Sequence, residues 1–349
     1  MKTTADVLLT GASGFVGSAV LRALLREGFR VRALVRANSR YQDLTARGVQ
    51  FVEGDLREGS SLRGACAGCR YLFHVAADYR LSLWNSAGAF ATNVAGTRNL
   101  MEEAMRAGIE RIVYTSSVAT LGSRQDGTAA DEAATLPVQH AIGAYKQSKI
   151  VAEQLVLDMI RRKALPAIIV NPSTPVGPRD VRPTPTGNVI VAAASGRIPA
   201  YVDTGLNVVH VDDVGNGHLA ALRRGRVGER YILGGENIPF SQMLTEVAAL
   251  VGRPRPKCRI PWYAAIPAAI GGEVQAFLTG SEPLATWAGV RLARHKMFFT
   301  SSKAEQELGY RARPHMEALN DAVSWFGSHG YLPSSMREAR LGTFRSPFG

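Results

Sequence analysis

The stretch that decides the fold is TGASGFVG, residues 10–17, which follows the apolar run DVLL at residues 6–9. Its glycines, Gly11, Gly14 and Gly17, are spaced three and three, but with 35 glycines in the chain such spacing can arise by chance. The context decides, because the apolar run predicts a strand and residues 15–28 carry apolar side chains at helical spacing. A glycine turn between a strand and a helix is the fingerprint of a dinucleotide-binding site.

Each glycine has a physical role in such a turn. The first permits the sharp bend, the second lets the backbone approach a pyrophosphate, and the third allows the helix to pack closely on the sheet. The helix N-terminus adds free N–H groups and a partial positive charge. The residues predicted to bind the cofactor here are Gly11, Ser13, Gly14, Phe15, Val16 and Gly17.

Strand and helix patterns alternate through the first half of the chain. Strands are predicted over residues 30–35, 49–55, 71–77, 111–117 and 166–172, and helices over residues 40–48, 61–68, 85–108 and 144–163. Nearly continuous apolar strands that alternate with helices favour a parallel sheet covered on both faces. The predicted fold class is α/β, a Rossmann-type doubly wound parallel sheet with a smaller, mostly helical C-terminal substrate domain.

This alternation breaks after Pro172, where residues 171–187 are rich in proline and glycine and predict a loop system. We expect residues 1–172 to form the NAD(P)-binding domain, with 207–235, a strand and a helix followed by a further strand, returning to it. Residues 173–206 and 236–332 are expected to bind substrate. The basic segment 333–349 lacks periodicity and is predicted to be disordered.

The end of the second predicted strand distinguishes the two nicotinamide cofactors. An acidic residue there binds the ribose of NAD, whereas an arginine pairs with the 2′-phosphate of NADP. Arg36 occupies this position, so NADP(H) is favoured and NAD(H) stays an alternative if Arg36 only stacks on adenine. Asp55 and Leu56, which end the third strand, are predicted to meet the adenine.

The segment AYKQSK at residues 144–149 suggests the chemistry. Tyr145 and Lys149 are four apart on a predicted helix and share a face. A tyrosine is a poor base at neutral pH, but a neighbouring ammonium and a bound oxidised nicotinamide both favour the phenolate. Tyr145 is therefore a candidate acid or base for hydroxyl–carbonyl exchange, with Ser117 bonding the substrate oxygen. A surface helix pair is the usual alternative for this spacing.

The order of these motifs resembles the extended short-chain dehydrogenase/reductases over residues 5–330. The matching segments are TGASGFVG, GDL, HVAA, TNVAGT, VYTSSVATLG, YKQSK, NPSTPVGP and VHVDDV. The resemblance implies that Ser117, Tyr145 and Lys149 are catalytic. It also implies cofactor contacts at Gly11, Gly14, Gly17, Asp55, Leu56, Val75, Ala76, Ala77, Asn93, Tyr145, Lys149 and Pro172.

Within that family the chain is similar to the hopanoid-associated sugar epimerases, which lie near the dihydroflavonol-reductase-like enzymes. This implies an NAD(P)-dependent epimerase acting on a sugar-like substrate in hopanoid side-chain metabolism, with an NADPH-dependent carbonyl reductase as the alternative. A non-catalytic dinucleotide-binding scaffold is a further alternative. The predicted substrate contacts are Asp78, Tyr79, Arg80, Ser117, Thr174 and Arg179.

The net charge and the apolar pattern of the chain indicate which classes of partner it binds. The formal net charge is +12, but the arginines are scattered, so attraction for anionic cofactor and substrate groups is favoured over nucleic acid binding. Without a long apolar run or a secretory signal, a cytoplasmic enzyme is expected, with loose association of the basic chain at the inner membrane as an addition. The expected partner is a small sugar-like or lipid-linked molecule, and a homodimer through residues 86–107 and 143–162 is a family-based expectation.

Several polar residues are predicted to be structural. The pattern includes no metal site, and the CAGC segment at Cys66 and Cys69 is expected to lie at a helix end rather than act as a redox pair. His74 is expected to be a packed histidine, and Asp212 and Asp213 are expected to cap the helix that follows.

Overall fold

The computed structural model describes residues 5–37, 49–78, 86–124, 126–279 and 287–333. The strands are β1 (Val7–Thr10), β2 (Val31–Val35), β3 (Val49–Glu53), β4 (Tyr71–His74), β5 (Arg111–Thr115), β6 (Ala167–Pro172), β7 (Thr174–Val176), β8 (Ala200–Val202), β9 (Gly205–His210), β10 (Arg230–Leu233), β11 (Glu236–Pro239) and β12 (Cys258–Ile260). The helices are α1 (Phe15–Arg26), α2 (Ser86–Phe90), α3 (Gly96–Arg106), α4 (Ala144–Lys163), α5 (Pro185–Ala194), α6 (Val211–Arg224), α7 (Phe240–Leu250), α8 (Ile266–Thr279), α9 (Trp287–Leu292), α10 (Ser302–Leu308) and α11 (His315–Ser328).

Seven strands form one sheet in the order β10-β6-β5-β4-β1-β2-β3. Every pairing in it is parallel. The chain moves from β1 outward to β3 and then crosses to β4 on the other side of β1. The carboxyl ends of β1 and β4 therefore flank a topological switch point, where ligands bind in sheets of this kind. The predicted doubly wound α/β fold is confirmed.

Alternating apolar side chains along the strands build a core on each face of the sheet. Leu8 and Leu9 are both fully buried, yet Leu9 packs with α1 and α6 whereas Leu8 packs with α3 and α4. Successive strand residues point to opposite faces, which explains why these strands are apolar without interruption.

Two predicted helices differ from the structure. Residues 61–68 form no α-helix: a 3₁₀ turn covers Gly59–Leu62, and turns follow in which Gly64 and Gly68 adopt φ of +76° and +74°. Such left-handed conformations cannot continue a helix. The helix predicted over residues 85–108 is present as α2 and α3, joined by a π-helical turn at Ala91–Ala95. The helix predicted over residues 40–48 lies outside the described residues.

Beyond β6 the chain forms small sheets and helices beside the carboxyl edge. The predicted loop over residues 171–187 contains β7 and the start of α5, where Thr184 accepts a hydrogen bond of 3.1 Å from Gly187 N. Strand β9 pairs with β7 and β11 and not with the central sheet. Asn207 holds it there by donating to Gly235 O at 3.0 Å. Helix α6 packs on α1, and β10 does join the central sheet.

The C-terminal part is mostly helical, as expected. Helices α5, α7 and α11 enclose an apolar cluster with Val208 of β9, in which Met243, Leu319 and Phe326 are almost fully buried. Residues 334–349, most of the predicted tail, lie outside the described residues. Among the helices that the structure describes, none combines the length and the apolar character needed to cross a membrane.

Candidate active site

The glycine turn lies at the switch point between β1 and α1. Gly11 has φ of +75°, and a Cβ there would lie 2.7 Å from Ala76 N, whereas a Cβ on Gly17 would lie 1.9 Å from Gly11 O. Both positions therefore exclude any side chain. Gly14 is the N-cap of α1, is exposed, and a Cβ there would meet only Gly11 O at 3.3 Å. The first turn of α1 thus presents its N–H groups to open space, which fits a pyrophosphate.

The loop after β4 forms the other wall of the switch point. Thr10 Oγ1 accepts from the N–H groups of Val75 and Ala76 at 3.2 and 3.1 Å, which fixes the predicted cofactor-binding segment 75–77 beside the glycine turn. Asn93 is buried and donates to Asp78 O and to Ser148 Oγ, both at 2.9 Å. Its amide therefore joins this loop to α4. Tyr79 and Arg80 lie outside the described residues.

The predicted adenine end contains a cavity of about 550 Å³ lined by Arg36, Ala37, Glu53, Gly54, Asp55, Arg57, Glu58 and Ser61. Arg57, which the sequence analysis did not consider, donates to the Asp55 carboxylate through Nη2 at 2.5 Å and Nε at 3.0 Å. These bonds lower the pKa of Asp55, and the charge of Arg36 adds to the effect. Leu56 is buried, close to Gly96. The cavity therefore combines two guanidinium groups, of Arg36 and Arg57, with three carboxylates, of Glu53, Asp55 and Glu58.

The three candidate catalytic residues meet at the carboxyl end of β5. Ser117 follows this strand, and Tyr145 lies in the first turn of α4, with its hydroxyl close enough to the Ser117 side chain for that group to influence its pKa. Burial raises the pKa of Tyr145, and the neighbouring Ser117 hydroxyl opposes that effect. Burial outweighs this contact in the protein alone, and the effect of a bound oxidised nicotinamide on the phenolate stays a prediction.

Lys149 lies one turn further along α4 and is buried. Its Nζ donates to Thr115 O at 2.8 Å and lies 5.1 Å from the centre of the Tyr114 ring. Burial lowers the pKa of Lys149 to about 8, while the charge of Glu153 acts in the opposite direction. The ammonium is therefore only moderately favoured at neutral pH, and its charge depends on neighbouring groups.

A buried polar network beneath Ser117 was missed by the sequence analysis. Glu153 Oε2 accepts from Thr120 Oγ1 and Asn171 Nδ2, both at 2.9 Å, and Oε1 accepts from Arg230 Nη1 at 3.2 Å. Thr120 and Asn171 also donate to Ser117 O, at 2.8 and 3.1 Å. The spacing of Glu153, four residues after Lys149, was the available signal. The network connects α4, β6 and β10 to the backbone of Ser117.

Unpartnered polar atoms surround this region. Within the part of the chain that the structure describes, Ser116 Oγ, Asn171 Oδ1 and Ser173 Oγ are buried without hydrogen-bond partners. They follow β5 or lie at the end of β6, on the same edge as Tyr145, and Pro172 is buried among them. Buried polar atoms are normally paired, so these favour a ligand or water at the site. A nicotinamide dinucleotide fits the residues present.

Of the remaining predicted substrate contacts, Asp78 follows β4, Thr174 begins β7 and Arg179 lies in the loop after β7. Asp78 and Thr174 are half-buried, and Arg179 is exposed with φ of +71°. His210 is buried at the end of β9 and is the N-cap of α6, where its ring accepts a hydrogen bond of 3.0 Å from the main-chain N–H of Asp212. The side chains of Asp212 and Asp213 do not cap this helix.

The two aspartates form ion pairs instead. Asp212 pairs with Arg22 at 2.5 Å and Asp213 with Arg313 at 2.8 Å, partners that are far away in the sequence. Their capping role was therefore predicted wrongly.

Other polar candidates are structural. His74 is buried between Thr10 Oγ1 at 2.8 Å and Thr97 Oγ1 at 2.9 Å, as expected of a packed histidine. Cys66 and Cys69 are buried and unbridged, and burial raises the pKa of Cys66 to about 12, which disfavours thiolate chemistry. Among the described residues, no group of three or more His, Cys, Asp or Glu could hold a metal ion.

Comparison with known proteins agrees with this geometry. A sequence model of the family described as "NAD dependent epimerase/dehydratase family" matches residues 7–234. The chain is 45% identical to a putative dihydroflavonol 4-reductase of Synechocystis sp. over 328 residues, covering 93% of this chain and 95% of that protein. It is 34% identical to sterol demethylase protein B of Methylococcus capsulatus, covering 93% and 99%.

Solved structures agree as well. The crystal structure of gox2253 shares 49% sequence identity with a TM-score of 0.84, covering 94% of this chain and all of that one. A nucleoside-diphosphate-sugar epimerase from Pseudomonas aeruginosa, at 24% identity and a TM-score of 0.78 over 94% and 99% of the two chains, shares the fold. Sequence, fold and relatives together establish that the chain belongs to the NAD dependent epimerase/dehydratase family of extended short-chain dehydrogenase/reductases.

Proposed function

We propose that the protein is an NAD(P)-dependent oxidoreductase that exchanges a hydride with a carbinol or ketone carbon. The observation that carries this proposal is the meeting of Ser117, Tyr145 and Lys149 on the sheet edge that also holds the glycine turn. Tyr145 lies close to the hydroxyl of Ser117 and one helical turn before Lys149, and in such a position a tyrosine can exchange a proton with a substrate oxygen.

The residues divide the chemistry among them. A bound dinucleotide would supply or accept the hydride. Tyr145 gives a proton to the substrate oxygen in reduction and takes it back in oxidation, while Ser117 holds that oxygen by a hydrogen bond. The ammonium of Lys149 stabilises the phenolate that remains and offers donors to the nicotinamide ribose.

We favour a net reduction with NADPH over a recycling epimerisation. Arg36 lines the cavity at the adenine end, where a 2′-phosphate needs a cationic partner. The names of the relatives point the same way, since the 45% identical protein is a putative reductase. The family description includes epimerases, so epimerisation of a sugar-like substrate is the second candidate. The hopanoid assignment rests on the sequence resemblance and stays a prediction.

We further propose that residues 173–206 and 236–332 cover the substrate. Asp78, Thr174 and Arg179 are the described residues proposed to contact it, and the substrate is a small sugar-like or lipid-linked molecule. A homodimer through residues 86–107 and 143–162 stays a family-based prediction, which analytical ultracentrifugation tests.

The experiment compares NADPH and NADH as ligands of the purified protein and then follows NADPH oxidation with a panel of ketones. Tyr145→Phe should lower kcat by roughly 10²–10⁴-fold and leave the Kd for NADPH nearly unchanged, because the lost hydroxyl acts in proton transfer. The matched control is Tyr71→Phe, which removes a hydroxyl at the amino end of β4. Full activity of Tyr145→Phe would show that the reaction does not need this hydroxyl. Binding of NADPH without turnover of any ketone by the wild type would favour a non-catalytic scaffold, and tightly retained NAD would favour an epimerase.

A further inference from the structure

One surface of the C-terminal part is apolar and exposed. It comprises residues 261–271, which are the 3₁₀ turn Trp262–Ala265 with the proline before it and the first part of α8, and we call it the α8 face. Tyr263 and Ile270 have exposed fractions of 62% and 51%, two of the largest values among the big hydrophobic side chains that the structure describes. The other exposed members are Pro261, Ala264, Pro267, Ala268 and Gly271. Large apolar side chains left exposed close together along the chain favour an interaction site.

Basic residues flank the α8 face on both sides along the chain. Residues 255–296 contain six Lys or Arg and two Glu. The six are exposed: Arg255, Lys257, Arg259, Arg291, Arg294 and Lys296. Three of them precede the face in the sequence and three follow it. The guanidinium carbon of Arg294, one of the three that follow, lies 4.7 Å from the centre of the Trp262 ring, so these later residues also lie beside the 3₁₀ turn.

Basic side chains outnumber acidic ones around this region in the part of the chain that the structure describes. The acidic groups there are Asp203, which pairs with Arg259 at 2.7 Å, Glu246, which lines a cavity with Arg255 and Lys257, and Glu273, which accepts a hydrogen bond from Trp287 N at 2.9 Å. Two copies of such a basic face would repel each other, which disfavours a homodimer through it. An anionic partner with an apolar interior complements both the charge and the exposed side chains.

We propose that the α8 face is a docking surface for anionic phospholipid bilayers. Helix α8 has 14 residues, too few to cross a bilayer, so it would lie in the plane of the interface. Ile270 would enter the acyl boundary, Tyr263 would lie at headgroup level, and the flanking guanidinium and ammonium groups would contact lipid phosphates.

The α8 face also lies near the candidate active site. Helix α9 contacts α8 and the preceding turn. A Cβ on Gly143 would lie 3.7 Å from Ala288 Cβ of α9, and Gly143 precedes Tyr145 by two residues. Docking would therefore bring the start of α4 close to the bilayer. An alcohol or ketone dissolved in lipid could then enter the candidate active site from the membrane, a consequence that rests on the proposed function.

The test is co-sedimentation of the full chain, without cofactor or substrate, with phosphatidylcholine vesicles that contain or lack phosphatidylglycerol. We expect binding to the anionic vesicles alone, weakened by high salt. Ile270→Asp and the double variant Arg291→Glu/Arg294→Glu should each weaken it roughly tenfold or more. Val227→Asp and Arg311→Glu, which change exposed residues elsewhere, are the matched controls and should bind like the wild type.

Three results would overturn the proposal. The first is the absence of binding to anionic vesicles, and the second is equal loss in the control variants, which would indicate attraction by net charge alone. The third is that Ile270→Asp dissociates a dimer seen by ultracentrifugation and leaves vesicle binding intact, which would make the face a subunit interface. The Kd for NADPH shows that each variant is folded, and because no turnover is measured, failure here is distinct from failure of the proposed reaction.

Discussion

Lys149 donates a hydrogen bond of 2.8 Å from Nζ to the main-chain oxygen of Thr115, the last residue of β5. This bond ties α4 to the strand that leads into Ser117, so the lysine and the serine cannot shift independently. An ammonium group has three protons, and this contact uses one of them. Lys149 can therefore hold its own position and still donate to a ligand.

We predict that Glu153→Gln shifts the pH dependence of activity. The carboxylate of Glu153 raises the pKa of Lys149, which burial otherwise lowers to about 8. Removing its charge lowers this pKa further, so Lys149 loses its proton at lower pH. The alkaline limb of the kcat/KM profile should accordingly move to lower pH, and the profile is measured with NADPH and the ketone that reacts fastest.

The control for this prediction is Glu103→Gln, which alters a buried carboxylate that bonds Gly64 N and Arg106 away from the site. Glu153→Gln also leaves Arg230 without its charge partner, so we expect a loss of about 1–3 kcal/mol in the free energy of unfolding. Both variants should lose stability, but only Glu153→Gln should move the pH profile. An unshifted profile would mean that Glu153 is purely structural.

Two glycines of the turn should respond differently to alanine. Gly17→Ala places a Cβ 1.9 Å from Gly11 O, a backbone clash that should cost about 1–3 kcal/mol or more of folding free energy. At Gly14 the nearest atom would be 3.3 Å away, so the fold should tolerate alanine. The added methyl group would stand over the α1 N-terminus, where we expect it to raise the Kd for NADPH roughly tenfold.

Thermal unfolding and NADPH titration separate the two effects. Gly17→Ala should lower Tm, whereas Gly14→Ala should keep Tm and lose affinity. Gly271→Ala is the control, since a Cβ there meets no atom within 4 Å. Equal Tm values for Gly14→Ala and Gly17→Ala would contradict the geometry of the turn.

The central sheet and the site were predictable because they depend on local pattern. Leu8 and Leu9 belong to a strand that is buried on both faces, so the sequence there is a continuous apolar run. Tyr145 and Lys149 are one helical turn apart, a spacing that the sequence shows directly. The failures involve long-range partners. The sequence around Asp212 is typical of a helix N-cap, but its carboxylate forms an ion pair with Arg22, which is 190 residues away in the sequence. Asn207 likewise bonds Gly235 and Phe299, which are 28 and 92 residues away and which no local pattern indicates.

Arg36 should determine the choice between the two nicotinamide cofactors. A guanidinium that bonds the 2′-phosphate of NADP contributes about 1.5–3 kcal/mol, or roughly 10–100-fold in affinity. Arg36→Glu should therefore raise the Kd for NADPH by this factor and leave that for NADH within about threefold, as measured by fluorescence titration. Arg63→Glu changes an exposed arginine outside the cavity and serves as the control. Equal losses for both cofactors would assign Arg36 to adenine stacking.

His315 should make the stability of the C-terminal part depend on pH. Its ring bonds the carboxylates of Glu236 and Glu246, the second at 2.9 Å, and so joins α11 to β11 and α7. Burial opposes protonation, but the two carboxylates outweigh it and raise the pKa of His315 above its ordinary value of 6.5. Because the folded protein binds this proton more tightly than the unfolded chain, the stabilisation is complete below pH 6.5 and is lost as pH rises through the raised pKa.

The difference in Tm between wild type and His315→Gln isolates this effect from other titrating groups. It should be largest below pH 6.5, where the histidine carries its charge, and should shrink as pH rises above that value. His329→Gln is a suitable control, because this exposed histidine stacks on Trp325 and bonds no carboxylate among the described residues. Its Tm should follow the wild type at every pH. A constant difference between wild type and His315→Gln would show that the ring acts through packing, since packing does not titrate.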